Sequence, residues 1–251
     1  MLKFFRKIRH KLLADLPASK GGNRVTRYLV YALGEILLVV IGILIALQIN
    51  TWNEERKISK ERNQFMQSIK EDLIADTLSL QETLGKWNIQ LADLNAFKQQ
   101  VNTTKNIDSL IFLVRYEFSP YFSSFSGFND NTYRSMLNTG KLSILHPELR
   151  KVLQAHYNQQ LDTKEWHVNQ IELYQTVVRT YTDQFPMNID AKFISNQALE
   201  DIVWKDINPK QLILVLNSWG TRKSFYYQSH IPRFEARLEE TVFILETHFN
   251  K

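Results

Sequence analysis

The run YLVYALGEILLVVIGILIALQI, residues 28–49, carries one charged side chain, Glu35, in 22 positions. A helix of that length rises about 33 Å, enough to cross a hydrocarbon core of roughly 30 Å. A secretory signal peptide also joins a basic region to an apolar one. Its apolar part, however, spans only about 7–15 residues and ends at a small-x-small cleavage site. The run here is longer, and Ala46-Leu47-Gln48-Ile49-Asn50 offers no such site. The sequence therefore reads as an uncleaved signal anchor held in membrane lipid.

Charge decides which way the anchor points. Residues 1–27 contain Lys3, Arg6, Lys7, Arg9, Lys11, Lys20, Arg24 and Arg27 against one acid, Asp15. Beyond the run, Arg56, Lys57, Lys60 and Arg62 are interleaved with Glu54, Glu55 and Glu61. The flank richer in basic residues stays inside, so the N-terminus is expected in the cytoplasm and the remainder outside it. Tyr28, Tyr31 and Trp52 sit where interfacial aromatics anchor a span. The organisation read from the sequence is a cytoplasmic basic arm at 1–27, an anchor helix at 28–50 and an outer domain at 51–251.

The formal charge of +5 invites a nucleic-acid reading, but its distribution argues against one. All the excess positive charge lies before the run, and residues 51–251 are close to neutral. A nucleic-acid binder carries its basic footprint on the folded domain. The chain has no cysteine, which excludes disulfides, thiolate metal sites and cysteine nucleophiles. In the arm, Phe5, Ile8, Leu12 and Leu16 fall at helical spacing among basic residues, as in a helix lying on an anionic inner leaflet. An arm of this size is expected to hold no kinase or cyclase.

From residue 43 to 119 there is no proline and a single glycine, Gly85. Ile58, Phe65, Ile69, Leu73, Leu80, Leu84, Trp87, Leu91, Leu94 and Val101 recur in threes, fours and sevens, which predicts one long helix to about Thr103. Shorter helices are expected at 107–118 and, capped by Asn129 or Asp130, to near Asn138, the latter stopped at Gly140. Pro147 suits the first turn of a long helix, with apolar positions including Leu149, Leu153, Tyr157, Leu161, Val168 and Val178, that ends at Pro186. A short helix follows at 195–204. Asn208-Pro209 then opens a last one, which Gly220 and Pro232 should kink or break. With almost no alternating pattern, the fold class is all-α: an anchor helix continuing into an elongated helical bundle.

YALGEILLVVIGILIALQINTWNE, preceded by MLKFFRKIRHKLL, resembles the opening of a family of small single-span membrane proteins from Bacteroidota, defined as a domain of unknown function. TYRSMLNTGKLSIL at 132–145 and ELRKVLQAHY at 148–157 are similar to its second recognisable stretch. The resemblance implies a Gram-negative inner membrane and a periplasmic outer domain. It implies no activity.

Two groups of residues are candidate sites. Gly34, Gly42 and Ala46 share a helix face of small residues of the kind that lets spans approach closely, and Glu35 is an ionisable group within the span. Tyr116, Phe118, Tyr121, Phe122, Phe125, Phe128 and Tyr133 crowd around Pro120 and Gly127. They are open to three readings: core filling, a binding groove, or a membrane-facing surface.

No catalytic, cofactor or metal site is expected. Thr139-Gly140-Lys141 lacks the glycine spacing of a phosphate loop, and no G-x-S-x-G or HExxH occurs. His156 and His167 share a face but lie about 16 Å apart along a helix, too far for one metal ion. Neighbouring acids such as Glu200 and Asp201, or Glu239 and Glu240, point apart on a helix and read as solvated faces. The expected function is a membrane-anchored interaction or scaffolding module with a protein partner or a second copy. A periplasmic ligand sensor is the alternative.

Overall fold

The computed structural model describes residues 24–182, 185 and 196–249. The helix expected in the basic arm and the stop at Pro186 lie outside the described residues. The structure is all-α, with no strand among the described residues. Its elements are α1 (Arg24–Thr103), α2 (Ile107–Tyr116), α3 (Asn131–Asn138), a 3-10 turn (Lys141–Ile144), α4 (Pro147–Thr182), α5 (Gln197–Lys205) and α6 (Pro209–His248). The chain divides into two units, one ending at Lys60 and the other Glu61–Lys251.

Local chemistry sets the helix ends. The side chain of Asn106 accepts from Ser109 N at 2.8 Å and that of Asn196 from Ala198 N at 3.0 Å. Asn208 accepts from Gln211 N at 3.3 Å, with Pro209 in the first turn behind it. Gly140 stops the stretch after α3 at φ 68°, in the left-handed region that glycine enters without a Cβ penalty.

In the first unit the apolar helix has no protein cover. Leu33, Ile36, Leu37, Val39, Ile43, Leu44, Leu47 and Ile49 are all exposed. This is one helix long and apolar enough to cross a membrane.

The second unit is a helical bundle. Its core is supplied by Ile69, Leu73, Leu80, Leu84, Trp87 and Leu94 of α1, Leu149, Leu153, Tyr174 and Val178 of α4, and Leu212, Leu216, Trp219, Phe234 and Ile244 of α6. Each such side chain contributes about 1.5–3 kcal/mol by leaving water. The core falls into two clusters. One gathers Ile69, Leu73, Met136, Leu149, Leu153 and Ile244; the other is built on Leu80, Trp87, Phe125, Tyr226 and Phe234.

Two expectations are corrected and a third is narrowed. Gly220 and Pro232 do not break α6, which runs through both. A proline inside a helix costs about 3 kcal/mol, and burial of Tyr226, Tyr227, Ile231 and Phe234 around it outweighs that. Leu161 and Val168 are exposed, because Gln160, Thr163 and His167 take the inward positions at that level. Ile58, also placed in the core stripe, is exposed and belongs to the first unit.

Candidate functional site

Residues 117–130, between α2 and α3, have no regular secondary structure beyond a turn at Glu117. Backbone groups that leave water without a partner cost about as much as a lost hydrogen bond, and here helix side chains supply the partners. Trp87 Nε1 donates to Ser123 O at 2.7 Å, and Tyr174 Oη to Pro120 O at 2.6 Å. The Lys223 ammonium donates to Ser119 O at 2.6 Å and Tyr121 O at 2.8 Å. Gln90 Oε1 accepts from Ser123 N at 3.2 Å and from Tyr227 Oη at 2.9 Å. The segment is thus tied to α1, α4 and α6. Burial of Lys223 pushes its pKa down to about 8, against a smaller opposing pull from Asp93.

Between the two apolar clusters lies a row of polar side chains. Asp76 is 1% exposed. Its Oδ1 accepts from Asn129 N at 2.7 Å and Asn129 Nδ2 at 2.8 Å, and its Oδ2 accepts from Gln160 Nε2 at 2.8 Å. A carboxylate only accepts, so the amino side of the Gln160 amide must face it. The same amino group lies 2.9 Å from His156 Nε2, which assigns the ring hydrogen to Nδ1. Nδ1 faces Glu240 Oε1 at 3.7 Å, and Glu240 pairs with Arg237 at 2.5 Å. Burial raises the Asp76 carboxyl above its ordinary range, against the pull of its hydrogen bonds. His156, and after it Arg237, hold Glu240 below its own.

A second imidazole pair sits in the aromatic cluster. His167 and His230 have ring centroids 5.2 Å apart. His230 Nδ1 donates to Tyr226 O at 2.8 Å, and Tyr226 stacks on the ring at 3.6 Å. Burial pushes His167 down to about 4 and His230 to about 3, so both are neutral near pH 7. Among the described residues no three His, Cys, Asp or Glu side chains are grouped to hold a metal ion.

The sequence-derived candidates divide as follows. Gly34, Glu35, Gly42 and Ala46 are all exposed on α1 of the first unit, and a Cβ added at Gly34 or Gly42 meets nothing within 4 Å. In the aromatic group Phe125 and Tyr133 are buried, and Phe122 and Phe128 pack against the core. Phe122 stacks on Tyr226 at 3.9 Å, Phe125 meets Phe234 edge-on at 5.0 Å, and Tyr133 stacks on Tyr157 at 4.3 Å. Tyr116 and Tyr121 are exposed.

Glu200 and Asp201 do not form a solvated face. The fork of the buried Arg115 spans both, with Nη1 2.5 Å from Asp201 and Nη2 3.5 Å from Glu200. Sequence reasoning missed the polar row entirely. Its members come from α1, the irregular segment, α4 and α6, and the only local signal was Asp76, His156 and Gln160 lying inside otherwise apolar stripes.

These features define an all-helical protein with one apolar helix of membrane-spanning length and a bundle crossed by a buried polar row. The chain belongs to a family of unknown function (DUF6090), whose model matches residues 35–206. No curated protein and no solved structure matches it. Neither the family nor the helical fold carries a positive sign of catalysis.

Proposed function

We propose that this protein is a single-pass anchor of the inner membrane that holds a periplasmic helical module for binding another protein or a second copy of itself. The observation that carries the proposal is the uncovered apolar stretch of α1, whose exposed leucine, isoleucine and valine side chains suit lipid and not water. The basic residues ahead of it favour a cytoplasmic N-terminus. Two further surfaces favour a binding role. Gly34, Gly42 and Ala46 leave room for a second span to approach. In the second unit, Ile74, Leu78 and Ile89 are exposed on α1, a helix that also contributes Leu73, Leu80 and Trp87 to the core. An apolar residue on the outward side of an amphipathic helix is the kind of position a partner covers. The aromatic residues around Pro120 that prompted a ligand sensor are largely accounted for by core packing.

The test combines topology with capture in native membranes. A reporter fused after Lys251 should be active only in the periplasm, and the protein should resist carbonate extraction. A photo-crosslinker at Gly42 or Leu78 should give a discrete adduct. A cytosolic reporter signal, or a chain recovered in the aqueous fraction without detergent, overturns the anchor. A chain that inserts correctly yet gives no reproducible adduct at either position overturns the binding role.

A further inference from the structure

In the second unit α1 is apolar on two opposite sides. Leu73, Leu80, Trp87 and Leu94 recur every seven residues and are buried in the bundle. With that repeat, the positions on the far side of the helix also return every seven residues. They include Ala75, Leu78, Gly85, Ile89, Ala92 and Ala96, and all six are exposed. Leu78 is 62% exposed and Ile89 64%. Their spacing is that of the a and d positions of a coiled coil, sustained for about three heptads.

Gly85 sits in the middle of this seam. It lies inside a helix, where glycine is disfavoured, and a Cβ built on it meets nothing within 4 Å. Neither the backbone nor packing within the chain calls for glycine there. A second helix pressed against α1 would, because glycine and alanine let two backbones approach closely.

We propose that this face of α1 pairs with the same face of a second copy, as a parallel, in-register two-helix seam. The proposal rests on the reading of the chain as a single-pass anchor. Two copies inserted in one membrane have the same polarity, which favours a parallel pair about a two-fold axis. Each seam residue then meets its own counterpart. Leu78 and Ile89 supply the apolar contact, and Gly85, Ala92 and Ala96 the close approach.

Charge favours a second copy as the occupant. A face that meets itself must avoid like charges at its flanks. In-register pairing sets Lys86 against Gln81 of the second copy and Asp93 against Asn88, so each flanking charge meets an amide. Glu82 is the one charged side chain within the seam. Lys86, four residues on, holds its carboxylate at 2.6 Å and offsets the repulsion between the two Glu82 side chains. A polar residue at one such position costs stability and fixes the register.

The experiment uses the full chain in native membranes. The chain has no cysteine, so one introduced cysteine can bridge two copies only through its own counterpart. After oxidation with copper phenanthroline, Leu78→Cys and Ala92→Cys should each give a covalent dimer. Leu214→Cys, at a position 61% exposed on α6, should give none. Adding Gly85→Lys to Leu78→Cys should abolish the dimer while leaving the helical circular dichroism unchanged, because the new side chain meets nothing within one chain. Failure to dimerise at Leu78 or at Ala92, an equal yield at Leu214, or a dimer that survives Gly85→Lys overturns the pairing. A photo-crosslinker at Leu78 that captures only a different protein overturns self-pairing and leaves the broader binding role standing. Carbonate extraction of the same samples reads the anchor separately: a chain that stays in the membrane without dimers sinks this proposal alone.

Discussion

Removing the Asp76 side chain takes the acceptor from Asn129 N, from Asn129 Nδ2 and from one of the two hydrogens of Gln160 Nε2. A buried donor left unpaired costs about 1–3 kcal/mol. Removing the charge recovers part of the cost of burying a carboxylate, so Asp76→Ala should destabilise by about 3–5 kcal/mol, the sum over the donors it leaves less that recovery. That is a large share of the roughly 5–15 kcal/mol that holds a domain folded.

Asp76→Asn preserves volume and keeps one carbonyl for Asn129. Its new amino group meets that of Gln160, which can turn to offer Oε1, at the cost of the contact with His156. The expected loss is about 1–2 kcal/mol. Asn129→Ala removes only the side-chain bond and should cost about 1 kcal/mol. Urea unfolding of the full chain in micelles at pH 7.5, followed by tryptophan fluorescence, reports on this core because Trp87 is fully buried. The ordering Ala, Asn, then Asn129→Ala is the firm expectation. If Asp76→Ala costs under 1 kcal/mol, or no more than Asp76→Asn, the row does not bind the clusters together as described.

Other measurements reach different parts of the molecule. Lys223 has a folded pKa of about 8 against an ordinary 10.5. Between these values the unfolded chain holds a proton that the folded chain has released, so stability rises with pH. The gain from pH 7 to pH 9 should be about 1.3 kcal/mol and should vanish in Lys223→Met, as read by urea midpoints at the two pH values. Gly140→Ala places a Cβ at φ 68° and should lower stability by about 1–2 kcal/mol, visible as a drop in melting temperature; no change would mean the turn relaxes freely. Two arginines at Leu38 and Ile41 together add about 5–7 kcal/mol to the cost of insertion. The double variant should leave the carbonate-resistant fraction, whereas either single substitution should remain in it.

Much of the fold was legible because its causes are local. Asn208-Pro209, Gly140 and Pro147 mark helix ends through local backbone geometry and contacts within three or four residues. The stripe of α1 follows from spacing alone. The errors occur where distant packing outweighs a local preference. Pro232 is a helix breaker by propensity, yet α6 passes through it because Ile231 and Phe234 on either side are buried. Glu200 and Asp201 diverge on a bare helix, but Arg115, 85 residues earlier in the chain, reaches both. The aromatic crowd around Pro120 was open to three readings, and only the positions of Tyr174, Tyr226 and Phe234 place most of it in the core.

Taken by itself, the sequence determined the helical class, the apolar stretch too long and too uncharged for water, and the points where helices start and stop. Solvation and backbone hydrogen bonding act over one residue or one turn, so they can be read in order along the chain. The partners of Asp76, the pairing of His167 with His230 and the carbonyls that hold Lys223 were decided only when three long helices came together. Those contacts join residues 53 to 104 positions apart, and no periodicity in the intervening chain encodes which buried polar atom will face which.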